Sequence, residues 1–215
     1  MGRKIIISTL CLQVFCAWCF ADFTIGFIPD TQNLSETDEG GQLMKEMNRF
    51  FVDNKEKLNV IFVASLGDMA QGYPRNGNWD DMVARSDEMY RVKEAYSVYP
   101  PAGIPFAPCQ GNHDPISAMN KWFPVSDFSS TPTWGGSFNG GIENAYYLFE
   151  ADGIEFILVV IQYAPPREVM DWANSRFEKY SQRRGILVTH QLTPVNNSEV
   201  QKQVIERNDN IFMAV

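Results

Sequence analysis

Cysteine is nearly absent from most of this sequence. Three of the four cysteines, Cys11, Cys16 and Cys19, lie in the first 21 residues, which leaves Cys109 alone in the remainder. Residues 22–215 therefore have no internal disulfide and rely on a hydrophobic core. With 215 residues, of which 45% are hydrophobic and 13% aromatic, the chain is long enough for one domain with such a core.

Positive charge and long apolar runs are also scarce. The chain has 18 basic against 26 acidic residues, for a net charge of -8. Because phosphate backbones demand clustered Lys and Arg, this balance argues against a nucleic-acid-binding surface. The only long apolar run, Ile5 to Phe20, is shorter than the roughly 20 residues that a spanning helix needs. We therefore expect no stable membrane span.

Residues 1–21 have the pattern of a secretory signal peptide. Arg3 and Lys4 precede the apolar run, and small residues at Cys19 and Ala21 fit the positions before a cleavage site. The alternative is an N-terminal membrane anchor, for which the run is short. The pattern predicts cleavage after Ala21, a domain over 22–215, and a secreted or extracytoplasmic protein.

Apolar strands alternate with amphipathic helices along residues 22–215. Strands are predicted at 23–28, 60–66, 104–109, 144–150, 154–163, 185–188 and 211–215, with a hairpin turn at Asp152-Gly153. Helices are predicted at 41–58 (apolar residues Leu43, Met47, Phe50 and Phe51), 79–99, 168–183 and 198–208, and residues 115–139 are predicted as a long loop with about one helical turn. The alternation predicts an α/β sheet covered by helices.

Polar residues follow several of the predicted strands directly. Asp30 follows the first, Asp68 the second, and Gly111-Asn112-His113-Asp114 the third, while His190 follows the strand at 185–188. In α/β sheets, ligands gather at the carboxyl ends of the strands. The chain has only two histidines, and both stand at such ends. Carboxylate, amide and imidazole donors together suit Zn, Mn or Fe better than Ca.

These segments resemble the motifs of a known family. Asp30-x-Gln32, Gly67-Asp68, Gly111-Asn112-His113-Asp114 and Thr189-His190, in this order, are similar to the motifs of the calcineurin-like metallophosphoesterases. The resemblance covers nearly all of residues 22–215. It implies layered mixed β-sheets, a β-sandwich flanked by helices, and hydrolysis of a phosphomonoester or phosphodiester. The substrate would be a phosphate-ester small molecule or a phosphorylated molecule.

The resemblance also implies a dinuclear centre of Mn, Zn or Fe. Asp30 would bind the first metal, Asp68 would bridge both, and Asn112 and His190 would bind the second. The family usually has His where Gln32 stands, so Gln32 would be a weaker ligand of the first metal. A bridging carboxylate of this kind holds two cations roughly 3.5–4 Å apart.

By the same resemblance, His113 would act on the leaving group or the transferring phosphoryl, with Asp114 orienting its ring. Residues 72–78 and 122–134 are candidate substrate walls by position only. The family's final Gly-His-x-His motif is absent, although residues 211–215 resemble the strand that precedes it. We therefore expect a C-terminally incomplete domain, either a truncated product or a partial sequence.

Two other classes of function remain open. The first is an exported domain of the same fold that binds a metal or a partner without turnover, which Gln32 and the missing motif favour. The second is a carbohydrate-active hydrolase that uses Asp30 and Asp68 as a carboxylate pair. Measuring metal content together with turnover distinguishes the non-catalytic domain from an enzyme. Glycoside cleavage that is insensitive to EDTA would indicate the carbohydrate-active hydrolase.

Overall fold

The computed structural model describes residues 22–192 and 199–215. The predicted signal peptide at 1–21 lies outside these residues, as does the start of the helix predicted at 198–208. Within the described part of the chain, no helix combines the length and the apolar character needed to cross a membrane.

The described residues form ten strands and seven α-helices. The strands are β1 Thr24–Ile28, β2 Val60–Ser65, β3 Tyr73–Arg75, β4 Asn78–Val83, β5 Phe106–Ala107, β6 Trp134–Ser137, β7 Ala145–Ala151, β8 Ile154–Val160, β9 Arg184–Val188 and β10 Ile211–Ala214. The helices are α1 Gln32–Ser35, α2 Asp38–Asp53, α3 Lys55–Leu58, α4 Ser86–Tyr96, α5 Ile116–Trp122, α6 Arg167–Lys179 and α7 Glu199–Gln203. Short 3-10 helices cover Pro100–Ala102, Val125–Asp127 and Ile205–Arg207.

The strands form three sheets. A parallel three-stranded sheet has the order β1-β2-β5, and a five-stranded sheet has the order β10-β9-β8-β7-β6. In the larger sheet the β10–β9 and β9–β8 pairs are parallel, whereas the β8–β7 and β7–β6 pairs are antiparallel. Strands β3 and β4 form a separate antiparallel hairpin. The protein is thus a mixed α/β fold with several sheets and helices, which confirms the general class predicted from the alternation.

The two larger sheets share one hydrophobic core. Phe62 of β2 is fully buried, and its ring centroid lies 5.5 Å from that of Tyr147 and 4.7 Å from that of Phe149, both on β7. Because side chains alternate along a strand, β8 and β9 also present a second face. Helix α6 covers that face with residues that include Val169 and Phe177. The core therefore lies between the sheets, with further apolar contacts beneath the helix.

The hairpin predicted at Asp152-Gly153 is confirmed. Asp152 and Gly153 have φ values of 49° and 74°, and β7 and β8 pair in unbroken antiparallel register on either side of them. Positive φ at both central residues is the geometry of a type I′ turn, which Asp-Gly favours. A local sequence signal was sufficient here because the turn is local.

The helix predicted at 79–99 is wrong in its first part. Residues 78–83 form β4, and only Ser86–Tyr96 are helical. The overlooked signal is Asn76-Gly77, whose φ values of 51° and 77° turn the chain from β3 into β4. An Asn-Gly pair is a strong hairpin signal, and it overrides the helical spacing of the apolar residues that follow it.

The helix predicted at 41–58 is longer at its start and divided near its end. Helix α2 begins at Asp38, because the Thr37 side chain accepts a hydrogen bond from the Gly40 amide at 3.0 Å. The predicted apolar face is also partly wrong, since Leu43 and Phe50 are 49% and 54% exposed. Met44 is fully buried instead.

Four other predicted spans differ from the structure. The strand predicted at 104–109 is reduced to Phe106–Ala107, because Pro105 and Pro108 have no amide to donate to a neighbouring strand. The loop predicted at 115–139 contains α5 and β6. The helix predicted at 168–183 ends at Lys179, and the one predicted at 198–208 is helical at Glu199–Gln203 and 3-10 at Ile205–Arg207.

Candidate metal centre

Three of the predicted site residues meet at the carboxyl ends of their strands. Asp30 follows β1, Asp68 follows β2 and His190 follows β9, and one ligand atom from each lies within 4.8 Å of the others. These strands belong to two sheets, since β9 lies in the five-stranded sheet and β1 and β2 lie in the three-stranded one. The cluster therefore forms where the two sheets approach each other.

Asp68 is the central member of this cluster. Its side chain is only 5% exposed, and its backbone has a φ of 48°, in the left-handed region that a non-glycine residue rarely adopts. Its Oδ1 accepts from the His113 amide at 2.8 Å, and its Oδ2 lies 3.2 Å from His190 Nε2. Burial raises the pKa of Asp68, but these two partners outweigh it and hold the pKa below the usual value. The carboxylate is therefore ionised and able to bind a cation.

His190 lies between the two carboxylates. Its Nδ1 is 2.8 Å from the Leu66 carbonyl and 3.8 Å from Asp30 Oδ1, which leaves Nε2 directed at Asp68. The hydrogen bond to Asp68 raises the pKa of His190 to about 9. The protonated ring thus places a positive charge between two carboxylates. A divalent cation would be stabilised by the same two carboxylates. A carbonyl on the opposite ring nitrogen is the common arrangement around a metal-bound histidine.

Two glycines allow these side chains to approach. A Cβ on Gly111 would lie 2.1 Å from Asp68 Oδ1 and 2.3 Å from the Asp68 amide nitrogen. A Cβ on Gly67 would lie 2.7 Å from His190 Nδ1, and Gly67 also has a φ of +100°. Any larger residue at either position would displace the cluster.

The two predicted amide ligands lie beside the cluster. The Gln32 side chain donates from Nε2 to Asp68 Oδ2 at 3.4 Å, so in this rotamer it presents a donor, and turning the amide would present its oxygen instead. Asn112 is exposed and directly precedes His113, whose amide binds Asp68. Gln32 is therefore placed to add an oxygen ligand to a bound metal, whereas a ligand role for Asn112 stays a prediction.

His113 is held by a residue that the motif does not contain. Its Nδ1 lies 2.6 Å from the Gln71 carbonyl. The expectation that Asp114 orients this ring is therefore wrong for this nitrogen, because a backbone carbonyl occupies that position. Gln71 lies between Asp68 and the β3–β4 hairpin, and no sequence pattern indicates that its carbonyl contacts the His113 ring.

Asp114 instead joins two loops. Its carboxylate accepts hydrogen bonds from the amides of Met69, Ala70 and Gly111 at 3.1, 2.9 and 3.0 Å. Burial raises the pKa of Asp114 to about 6, against the lowering effect of these amides. The residue thus fastens the loop after β2 to the loop after β5 and fixes the position of Asp68 relative to His113.

Gln110 is a second residue that the sequence did not single out. Its Nε2 donates to the Gly111 carbonyl and, at 2.9 Å, to that of Asp114, while its Oε1 accepts from the Tyr163 amide at 2.8 Å. It ties the loop that carries His113 to the end of the five-stranded sheet. Its position directly before Gly111 was the only available signal.

Comparisons with known proteins give distant similarities. No protein-family model matches the chain. It is 22% identical over 205 residues to the uncharacterized protein YvnB of Bacillus subtilis (strain 168), a match that covers 90% of this chain and 15% of that protein. Among solved structures it is similar to GAP50, the anchor in the inner membrane complex of Plasmodium, with a TM-score of 0.46 and 13% identity over 77% of this chain and 53% of that one.

Proposed function

We propose that residues 22–215 belong to a calcineurin-like metallophosphoesterase domain, a β-sandwich flanked by helices, that hydrolyses phosphate esters with a dinuclear metal centre. The observation that supports this most is the meeting of Asp30, Asp68 and His190, with ligand atoms within 4.8 Å of one another. These residues come from three of the four motif segments. The fourth segment contributes the His113 amide that binds Asp68.

The donor set suits the proposed metals. Two carboxylates and an imidazole, with Gln32 and Asn112 as additional amides, match Mn, Zn or Fe. Asp68, with a different partner on each oxygen, is the proposed bridging ligand. When bound, the metal ions would supply Lewis-acid activation of water and neutralise charge on the phosphoryl oxygens.

His113 is the proposed proton donor to the leaving group. Because the Gln71 carbonyl holds Nδ1 at 2.6 Å, proton transfer would use Nε2. An imidazolium in this position can protonate the leaving oxygen as negative charge develops on it. Hydrolysis would then release the alcohol and a phosphate, or a monoester if the substrate is a diester.

Export remains part of the proposal. It rests on the signal-like sequence of residues 1–21. The proposed substrate is a phosphate-ester small molecule or a phosphorylated molecule, and the acidic balance of the chain argues against a nucleic-acid surface.

Asp68→Asn tests this function. We expect it to lower the metal content per chain and to reduce hydrolysis of p-nitrophenyl phosphate and its diester by more than about 100-fold, since even changes outside the ligand shell cost 10–100-fold. Asp53→Asn, an exposed carboxylate at the end of α2, is the matched control and should leave both readouts unchanged. Metal-independent hydrolysis, or full activity in Asp68→Asn, would contradict the proposal.

A second candidate is a domain that binds metal without turnover. The observation that favours it is the Gln32 side chain, which directs a donor at Asp68 in place of the usual histidine ligand. Metal bound in a defined ratio, lost in Asp68→Asn, with no hydrolysis of either p-nitrophenyl ester, would select this candidate.

A further inference from the structure

A cavity of about 320 Å³ lies between the β3–β4 hairpin and helix α5. Its walls include Arg75 and Val83 from the hairpin, Pro115, and Lys121 and Trp122 from the end of α5. Arg75 and Trp122 come from the two stretches that were candidate substrate walls by position. The structure therefore brings these stretches together around one cavity, in the lower part of the size range of ligand pockets.

The cavity is adjacent to the proposed proton donor. Pro115 is two residues after His113, so their Cα atoms are within roughly 7 Å by covalent geometry. On the opposite wall, Val83 pairs with Tyr73, which is two residues after Gln71, and the Gln71 carbonyl contacts the His113 ring. The alcohol that leaves as His113 donates its proton would therefore lie next to this cavity.

The charge of the lining is opposite in sign to the net charge of the whole chain. Among the lining residues that the structure describes, Arg75 and Lys121 are cationic and none carries a carboxylate, in a chain of net charge -8. The Lys121 ammonium lies 5.8 Å from the centroid of the Trp122 ring, and Val83 and Pro115 add apolar side chains to the same lining. Because Arg75 takes part in another interaction, Lys121 is the principal cation for a ligand.

We propose that this cavity binds the alcohol portion of the phosphate ester, and that this portion carries a second anionic group on an apolar or planar body. The proposal rests on the proposed function, and it names the substrate class of the same site. The anionic group lies against Lys121 and the planar body against Trp122. The esterified phosphate then extends past Pro115 toward His113.

The first test compares two substrates of nearly equal shape, para-carboxyphenyl phosphate and the neutral para-carbamoylphenyl phosphate, with metal supplied. The measured quantity is the ratio of the two kcat/KM values. A difference in leaving-group reactivity between the two substrates affects this ratio equally in every variant, so it cancels when variants are compared. Lys121→Gln should lower this ratio about fivefold, about 1 kcal/mol, the upper range for an exposed ion pair. Lys121→Arg should retain the ratio, and added salt should reduce it in the wild type. Lys57→Gln, on α3 before the start of β2, is the remote control.

The second test measures binding without turnover, with para-hydroxybenzoate as the probe in calorimetry. We expect binding that weakens in Lys121→Gln and Trp122→Ala but not in Lys57→Gln. Turnover with an unchanged substrate ratio in Lys121→Gln overturns the cavity proposal and leaves the proposed function intact. Binding that depends on Lys121 without turnover of any ester overturns the proposed function and supports the cavity. Absence of both turnover and binding overturns both.

Discussion

Gly111→Ala tests whether the candidate centre depends on close backbone contact. The new Cβ would lie 2.1 Å from Asp68 Oδ1 and 2.3 Å from the Asp68 amide nitrogen, about 1 Å inside ordinary contact. A flexible side chain could move away, but the Asp68 backbone is held by a hydrogen bond from the Thr31 amide to its carbonyl at 3.0 Å. The loop after β5 must therefore move, and the Asp114 contact to the Gly111 amide moves with it.

The expected cost follows from this overpacking. Forcing one carbon into a packed site costs about 1–3 kcal/mol, and each kcal/mol lowers the Tm of a domain of this size by about 2–4 °C. The Asp68 carboxylate moves with this loop, because its Oδ1 accepts a hydrogen bond from the His113 amide, so zinc affinity should fall about 10–100-fold. Thermal unfolding of the metal-free protein measures the first effect, and competition with a zinc chelator measures the second.

Gly140→Ala separates these two effects. A Cβ at Gly140 would meet no atom within 4 Å, but the φ of +77° is strained for alanine. This variant should lose stability with no change in zinc affinity. Wild-type zinc affinity in Gly111→Ala would refute the reasoning, because it would mean that the loop relaxes without moving the Asp68 carboxylate.

Three further predictions concern the pH dependence, the core and the metal ligands. Burial raises the pKa of Glu88, so the folded state binds its proton more tightly and stability falls as the pH rises above the ordinary value of about 4.3. Glu88→Gln should remove this slope and be more stable than the wild type above this pH, as measured by thermal unfolding. Phe62→Ala should cost about 3–5 kcal/mol in chemical denaturation, because the ring is fully buried between the two sheets. Gln32→His should tighten zinc binding on the order of tenfold, about 1.4 kcal/mol, because it places an imidazole beside Asp68.

Each of these changes has a matched control. Glu39→Gln and Phe50→Ala alter exposed residues of α2 and should change stability little. Asn33→His adds an imidazole one residue away, on an exposed position, and should not tighten zinc binding. A pH slope retained in Glu88→Gln, a loss below about 1 kcal/mol in Phe62→Ala, or equal zinc affinity in the two histidine variants would each contradict its prediction.

The general fold was largely predictable because its signals are local. The strand at 23–28, the Asp152-Gly153 hairpin and the strand at 185–188 appear within about one residue of their predicted bounds. Failures occurred where two local signals competed, as at Asn76-Gly77, or where proline removed amides, as around β5. The exposed Phe50 shows that an apolar residue at helical spacing does not have to face the core.

The sequence by itself determined which residues stand at the strand ends, and thus that Asp30, Asp68 and His190 were candidate ligands. The tertiary structure alone decided how they meet, because β9 lies in a different sheet from β1 and β2. It also decided that Gln71 holds the His113 ring and that Asp114 joins two loops. These contacts connect residues more than 40 positions apart, and such contacts leave no periodic pattern along the chain.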